Sequence, residues 1–230
     1  MGQHILPGNP PIAVEMKRST RARRLSLRVS RLDGRVTLTM PPRLAEREGV
    51  AFVAEREAWL RKHLSGMQSE VVPAFGASIP YRGEDMVLRP GNVKAPTLVD
   101  GQLLLPDDPA KIGTFTQAFL KARARDALAE ACDRHSSALG RPYGRLTLRD
   151  TRSRWGSCTA KGDLMFSWRL IMAPAPILDY VAAHEVAHLA EMNHSAAFWA
   201  TCARLFPPYQ EARRWLKQHG ETLHRVRFGS

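Results

Sequence analysis

Cysteine is scarce in this chain: Cys132, Cys158 and Cys202 are odd in number and far apart. That excludes a disulfide framework and fits a reducing compartment, with the cytoplasm as the default location. No stretch of about 18 apolar residues occurs, so no membrane-spanning helix and no membrane partner are expected. The opening residues, Met1 to Pro7, lack the basic and apolar regions of a secretory signal. Leu6 stands where an N-myristoylation signal needs Ser or Thr. A P-loop, a nucleic-acid-binding motif, internal repeats and low-complexity segments are also missing.

Acidic residues are sparse in one place. Between Lys17 and Arg35 there are eight Lys or Arg residues and a single acid, Asp33, within a net charge of +12. A patch of this kind attracts nucleotides, nucleic acid or acidic substrates. The plainer reading, which is favoured here, is a solvated strand face. Arg24, Ser26, Arg28 and Ser30 alternate there with Leu25, Leu27 and Val29.

With 230 residues the chain can bury a proper core. Residues 1–16 carry Gly and Pro without a usable period and are expected to form a flexible leader. Two alternating runs, Leu25/Leu27/Val29 and Val36/Leu38/Met40, flank Asp33-Gly34 as a hairpin would. An amphipathic helix is expected from Leu44 to about Leu64. Further hairpins are expected around Gly83 and around Asp100-Gly101. Residues 17–106 thus form an N-terminal α+β accessory unit, and residues 107–230 the catalytic domain. That domain opens with a long helix from Asp107-Asp108-Pro109 to Leu139, stopped by Gly140. A strand through Leu146 and Leu148, a turn at Lys161-Gly162-Asp163 and a strand through Leu164, Phe166 and Trp168 follow. Pro174 and Pro176 then introduce an apolar helix, and Ser195 caps another.

The apolar helix carries His184-Glu185-Val186-Ala187-His188. Residues four apart lie on one helix face, so His184 and His188 can aim both imidazoles at one ion. Glu185, on the adjacent face, suits a general base acting on water, the division of labour of H-E-x-x-H sites. Two histidines and a carboxylate buried without a metal would be costly. For the third ligand, Glu191 and His194 compete. Glu191 sits almost in line with both histidines, about 10 Å along the axis from His184. His194 follows Asn193, a residue that readily ends a helix, and can approach from the side as tetrahedral zinc requires. His184, His188 and His194 are therefore the expected Zn²⁺ ligands.

The segment from His184 to Trp199, H-E-V-A-H-L-A-E-M-N-H-S-A-A-F-W, resembles the YgjP-like metallopeptidase family, whose core is related to SprT-like proteins. Arg154-Trp155-Gly156-Ser157-Cys158 resembles that family's second signature. The resemblance implies an α+β fold: a small strand-rich N-terminal unit, then a zincin-like metal-helix domain with a small antiparallel sheet. It also places Arg154 and Ser157 on a strand beside the metal helix, as candidate substrate-binding residues. Trp155 is expected to lie over the site, and Gly156 to allow close backbone approach. Arg154 has Asp150 or Asp163 as alternative ion-pair partners, and Cys158 reads as a structural thiol. Tyr180 and His135 are conceivable auxiliary acids.

The expected activity is zinc-dependent hydrolysis of a peptide or protein substrate by activated water, with Glu185 as general base. Two alternatives stand beside it. The same chemistry directed at a phosphoanhydride would make a nucleoside triphosphate pyrophosphatase. A DNA-associated SprT-like binding module would need no catalysis.

Overall fold

The computed structural model describes residues 2–30, 34–65 and 70–228. Ile12, Val14 and Met16 are buried while Ala13 and Glu15 between them are exposed, the alternation of a strand with one face on a core. This strand, β2 (Ile12–Arg18), pairs antiparallel with β1 (Gly2–Leu6) and parallel with β4 (Val36–Met40), which also pairs with β3 (Ser26–Val29). The sheet order is β1-β2-β4-β3. The first 16 residues are therefore not a flexible leader, because they supply an edge strand and much of the next one. The Leu25–Met40 hairpin forms with Leu27 opposite Leu38, and its tip at Arg31–Asp33 lies outside the described residues. The expected single helix is divided at Arg56 into α1 (Glu46–Glu55) and α2 (Glu57–Ser65). Val53 and Leu60 from these helices join Val14, Leu38 and Met40 in one core. On the basic run, Arg28 is exposed between half-buried Leu27 and Val29, as a solvated face requires.

The chain divides into two compact units, Met1–Ser69 and Glu70–Ser230. The expected boundary at 106/107 is thus moved back by some three dozen residues. The reason lies in burial. The second sheet comprises β5 (Ser78–Tyr81), β6 (Glu84–Pro90), β7 (Thr97–Val99) and β8 (Gln102–Leu105), ordered β5-β6-β8-β7. Its inward residues Ile79, Met86, Leu88, Leu103 and Leu105 belong to the same core as Val181, Ala183 and Val186 of the helix that carries His184. The turns at Gly83 and Asp100-Gly101 join the expected antiparallel pairs.

α3 (Ile112–Leu139) follows a short 3₁₀ turn in which the Asp108 carboxylate accepts from the Ala110 N–H at 3.1 Å. It stops at Gly140, whose φ of 73° is a left-handed conformation that costs glycine little. Then come β9 (Leu146–Arg149), β10 (Gly156–Cys158) and β11 (Leu164–Ser167) in the order β10-β11-β9. β10 is antiparallel to β11, but β9 is parallel to it, so this small sheet is mixed and not purely antiparallel. Among the described residues, no strand pairs with the outer edge of β10. The chain continues through α4 (Ala175–Ala187), α5 (Ala196–Leu205) and α6 (Tyr209–His219), then a 3₁₀ turn over Gly220–His224. The fold is α+β. Among the described residues, no helix is long and apolar enough to cross a membrane.

Candidate metal centre

α4 is buried on nearly every side: Ile177, Tyr180, Val181, Ala182, Ala183, Val186 and Ala187 all lie in the core. Such a helix holds its few polar side chains where water does not compete for them. His184 and Glu185 are on its last turn. The helix ends at Ala187, not at Asn193 as expected. The Leu189 and Ala190 N–H groups bond back only three residues, to Val186 and Ala187, which tightens the turn. The guanidinium of Arg141 donates to the Leu189 carbonyl at 2.6 Å, satisfying one acceptor left over at the helix end.

This early stop brings His194 back onto the helix. Its Nε2 lies 3.0 Å from His184 Nε2. One nitrogen from each of His184, His188 and His194 falls within a cluster no wider than 4.8 Å. Two nitrogens sharing a tetrahedral ion at zinc distances would be about 3.3 Å apart. The donor set therefore fits a small cation with imidazole affinity. His188 Nδ1 meets the Glu191 carbonyl at 2.9 Å, which orients the ring and leaves Nε2 to the cluster. Glu191 thus contributes its backbone, and its carboxylate is not part of the cluster. Burial and the two neighbouring imidazoles push His184 down to about 3, and burial lowers His188 as well. Both are held in the neutral form that ligates metals.

Phe198, at the start of α5, packs on all three rings, with centroids 4.4 Å from His188, 4.6 Å from His194 and 4.9 Å from His184. Ser195 caps that helix by accepting from the Phe198 N–H. Trp199 lies 5.6 Å from His194 and stacks on Tyr209. These aromatic contacts had no role assigned from sequence. Their signal was the Phe-Trp pair closing the histidine segment.

Glu185 is 5% exposed, and burial pushes its carboxyl up to about 8 against the opposing pull of the Arg154 charge. A cation on the histidines would pull it in the same direction as Arg154. Gly156 on β10 lies directly against this carboxylate: a Cβ there would sit 2.5 Å from Oε1. The expected close approach is therefore present, and its partner is Glu185. Gly156→Ala should displace the Glu185 side chain and cost about 1–3 kcal/mol through overpacking. Scanning calorimetry should show a Tm lower by several degrees, and hydrolysis should fall while metal content is retained. An unchanged Tm with unchanged hydrolysis would contradict the contact.

Of the other signature residues, Ser157 and Cys158 lie on β10, whereas Arg154 and Trp155 precede it, so Arg154 is not on the strand as expected. By strand alternation Cys158 shares the Gly156 face, and Ser157 emerges on the opposite one. Cys158 donates to the Thr159 carbonyl, and burial pushes its thiol up to about 11, so it is no thiolate ligand. The Arg154 guanidinium is exposed and takes neither of its anticipated partners. Asp150 is held by Arg169 at 2.6 and 3.1 Å, and Asp163 accepts from the Arg145 N–H. Trp155 does not cover the site. It packs against His224, 5.1 Å away between centroids, and against Gly220. His135 is paired with Asp179 at 2.7 Å, outside the cluster. Tyr180 sits edge-on to His184 at 5.9 Å, with its phenol raised by burial.

Three converging imidazoles, with the buried Glu185 next to His184 on α4, define a metallohydrolase domain. The chain belongs to the YgjP-like family: the model described as YgjP-like, metallopeptidase domain matches residues 23–219. UTP pyrophosphatase of Escherichia coli (strain K12) is 33% identical over 72 residues, which is 30% of this chain and 43% of that protein. This chain therefore matches less than half the length of that relative. The crystal structure of the metallopeptidase zymogen of Pyrococcus abyssi abylysin is similar over 41% of this chain and 93% of that one, at 23% identity and a TM-score of 0.35.

Proposed function

We propose that this protein is a zinc-dependent metallopeptidase in which His184, His188 and His194 hold the ion and Glu185 is the general base. The observation that carries this reading is the cluster of three imidazole nitrogens beside a buried carboxylate. Three neutral nitrogen donors suit zinc better than magnesium, which prefers oxygen ligands. Three protein ligands also leave one tetrahedral position open, as in catalytic sites, whereas structural zinc is usually closed by four. That contrast weighs against a purely structural SprT-like binding module.

When bound, zinc would supply Lewis acidity, polarising a carbonyl oxygen and lowering the pKa of water in its open position. Glu185 is placed to take a proton from the attacking water as its oxygen bonds to the carbonyl carbon. It then delivers the proton to the amine nitrogen as the C–N bond breaks. The outer edge of β10 offers backbone groups to an extended chain, and Arg154 offers an exposed cation near Glu185. Scattered free thiols are in keeping with a cytoplasmic setting.

A second reading is favoured by one specific observation, the partial match to a protein named UTP pyrophosphatase. In that reading the same base acts on water attacking a phosphoanhydride, and the protein's positive charge recruits the nucleotide. A parallel screen decides between the two. Zinc-loaded and metal-stripped protein are each incubated with unfolded proteins, peptide pools and nucleoside triphosphates. Metal-dependent appearance of new amino termini is the expected result. Release of diphosphate with no peptide cleavage would overturn the peptidase reading.

A further inference from the structure

A groove of about 320 Å³ opens beside His188, between the β10–β11 turn and the segment that follows α4. Leu189, Met192 and Pro142 give it apolar walls, and Lys161 and Arg141 bring two cations to it. None of its nine lining residues is acidic. Arg141 is already anchored to the Leu189 carbonyl, so its position in the wall is set. Lys161 is exposed and has neither an ion pair nor a hydrogen bond among the described residues. Met192 is 51% exposed, an unusual place for a large apolar side chain unless something packs on it.

The placement gives these features a meaning. His188 lines the groove and is also one of the three clustered imidazoles, so whatever enters lies next to the reacting centre. The outer edge of β10 runs from Gly156, in contact with Glu185, toward Thr159 on the groove wall. At about 3.3 Å per residue, that is roughly 10 Å of strand edge leading from the base to the groove. We propose that this groove is a substrate subsite: its apolar walls take the stem of a substrate group, and Lys161, with Arg141 behind it, takes the group's negatively charged end. The inference rests on the hydrolase reading of the metal centre and adds the substrate's charge to it. A carboxylate on a peptide and a phosphate on a nucleotide share this chemistry, and the experiment separates them.

Binding is measured on the zinc-loaded Glu185→Gln variant, so that no turnover intervenes. Two peptide pools that differ only by Glu for Gln form the first arm, and UTP and uridine form the second. The Glu pool should bind about three- to fivefold more tightly than the Gln pool, the range for a single partly exposed ion pair. The preference should shrink with added salt. Adding Lys161→Glu should abolish or invert it, and Lys94→Glu, in the β6–β7 connection and not among the groove's lining residues, should not. Lys161→Gln serves the same purpose if charge reversal lowers the Tm. If only UTP over uridine depends on Lys161, the subsite stands and takes a phosphate, not a peptide carboxylate. If neither ratio responds to Lys161, the subsite is overturned, whatever the protein hydrolyses.

Discussion

Replacing Glu185 with Gln is expected to lower hydrolysis about 10²–10⁴-fold, the usual cost of losing a general base, while metal content stays at one equivalent. The change removes a proton acceptor and little else. Glu185 is buried, with its carboxyl pushed up to about 8, so near pH 7 the metal-free protein mostly carries the neutral acid. Gln has nearly the same shape as that neutral form and still fits beneath Gly156. The metal-free variant should therefore melt no lower than metal-free wild type at pH 7. Loss of turnover with zinc and Tm both retained separates a base from a packing residue. The readouts are kcat/KM on whichever substrate the screen identifies, elemental analysis for zinc, and calorimetry. Activity within a few-fold of wild type would remove Glu185 from the chemistry.

Local signals carried much of this structure. The turns at Gly34, Gly83 and Asp100-Gly101 lie between alternating runs, and each joins the pair of strands that its neighbours imply. Gly140 and Ser195 punctuate helices through their own backbone or side-chain chemistry. The spacing of His184 and His188 likewise needs only helix geometry. What was not legible depends on distant partners. Ile12, Val14 and Met16 alternate as a strand should, but the Pro and Gly residues ahead of them obscured the pattern. The pairing of Val14 with Val36 and of Met16 with Leu38 is a parallel crossover that no nearby turn announces. The unit boundary was misplaced for a related reason. Ile79, Leu88 and Leu103 are ordinary strand residues, and only packing shows that they share a core with α4. The end of α4 is the clearest case. Leu189, Ala190 and Glu191 are good helix formers, yet the helix stops before them. Arg141 and the ring of His188 instead hold the carbonyls of Leu189 and Glu191 in a turn. Propensity is outweighed there by contacts that also aim an imidazole.

That turn makes the third ligand a sharp test. His194→Ala should weaken zinc binding by more than the 10–100-fold typical of a residue that only supports a ligand. Glu191→Ala should keep stoichiometric zinc. The two positions are three residues apart and differ in what they bring to the centre. His194 brings Nε2 to within 3.0 Å of His184 Nε2. Glu191 brings only its carbonyl, which Ala supplies equally well, to His188 Nδ1. His194 is also exposed, in contrast to the ring of His188. Its removal should therefore take away a ligand without opening the core, and the metal-free Tm of His194→Ala should stay near that of metal-free wild type. Phe198 would still support the remaining two imidazoles. Two donors alone form an incomplete site, and dialysis against a weak chelator should strip the variant while wild type keeps its ion. The measurement is zinc per chain by elemental analysis after such dialysis, on both variants and wild type together. Retained zinc in His194→Ala with loss in Glu191→Ala would reverse the assignment, and would mean that the Glu191 carboxylate swings in to ligate when the ion is present.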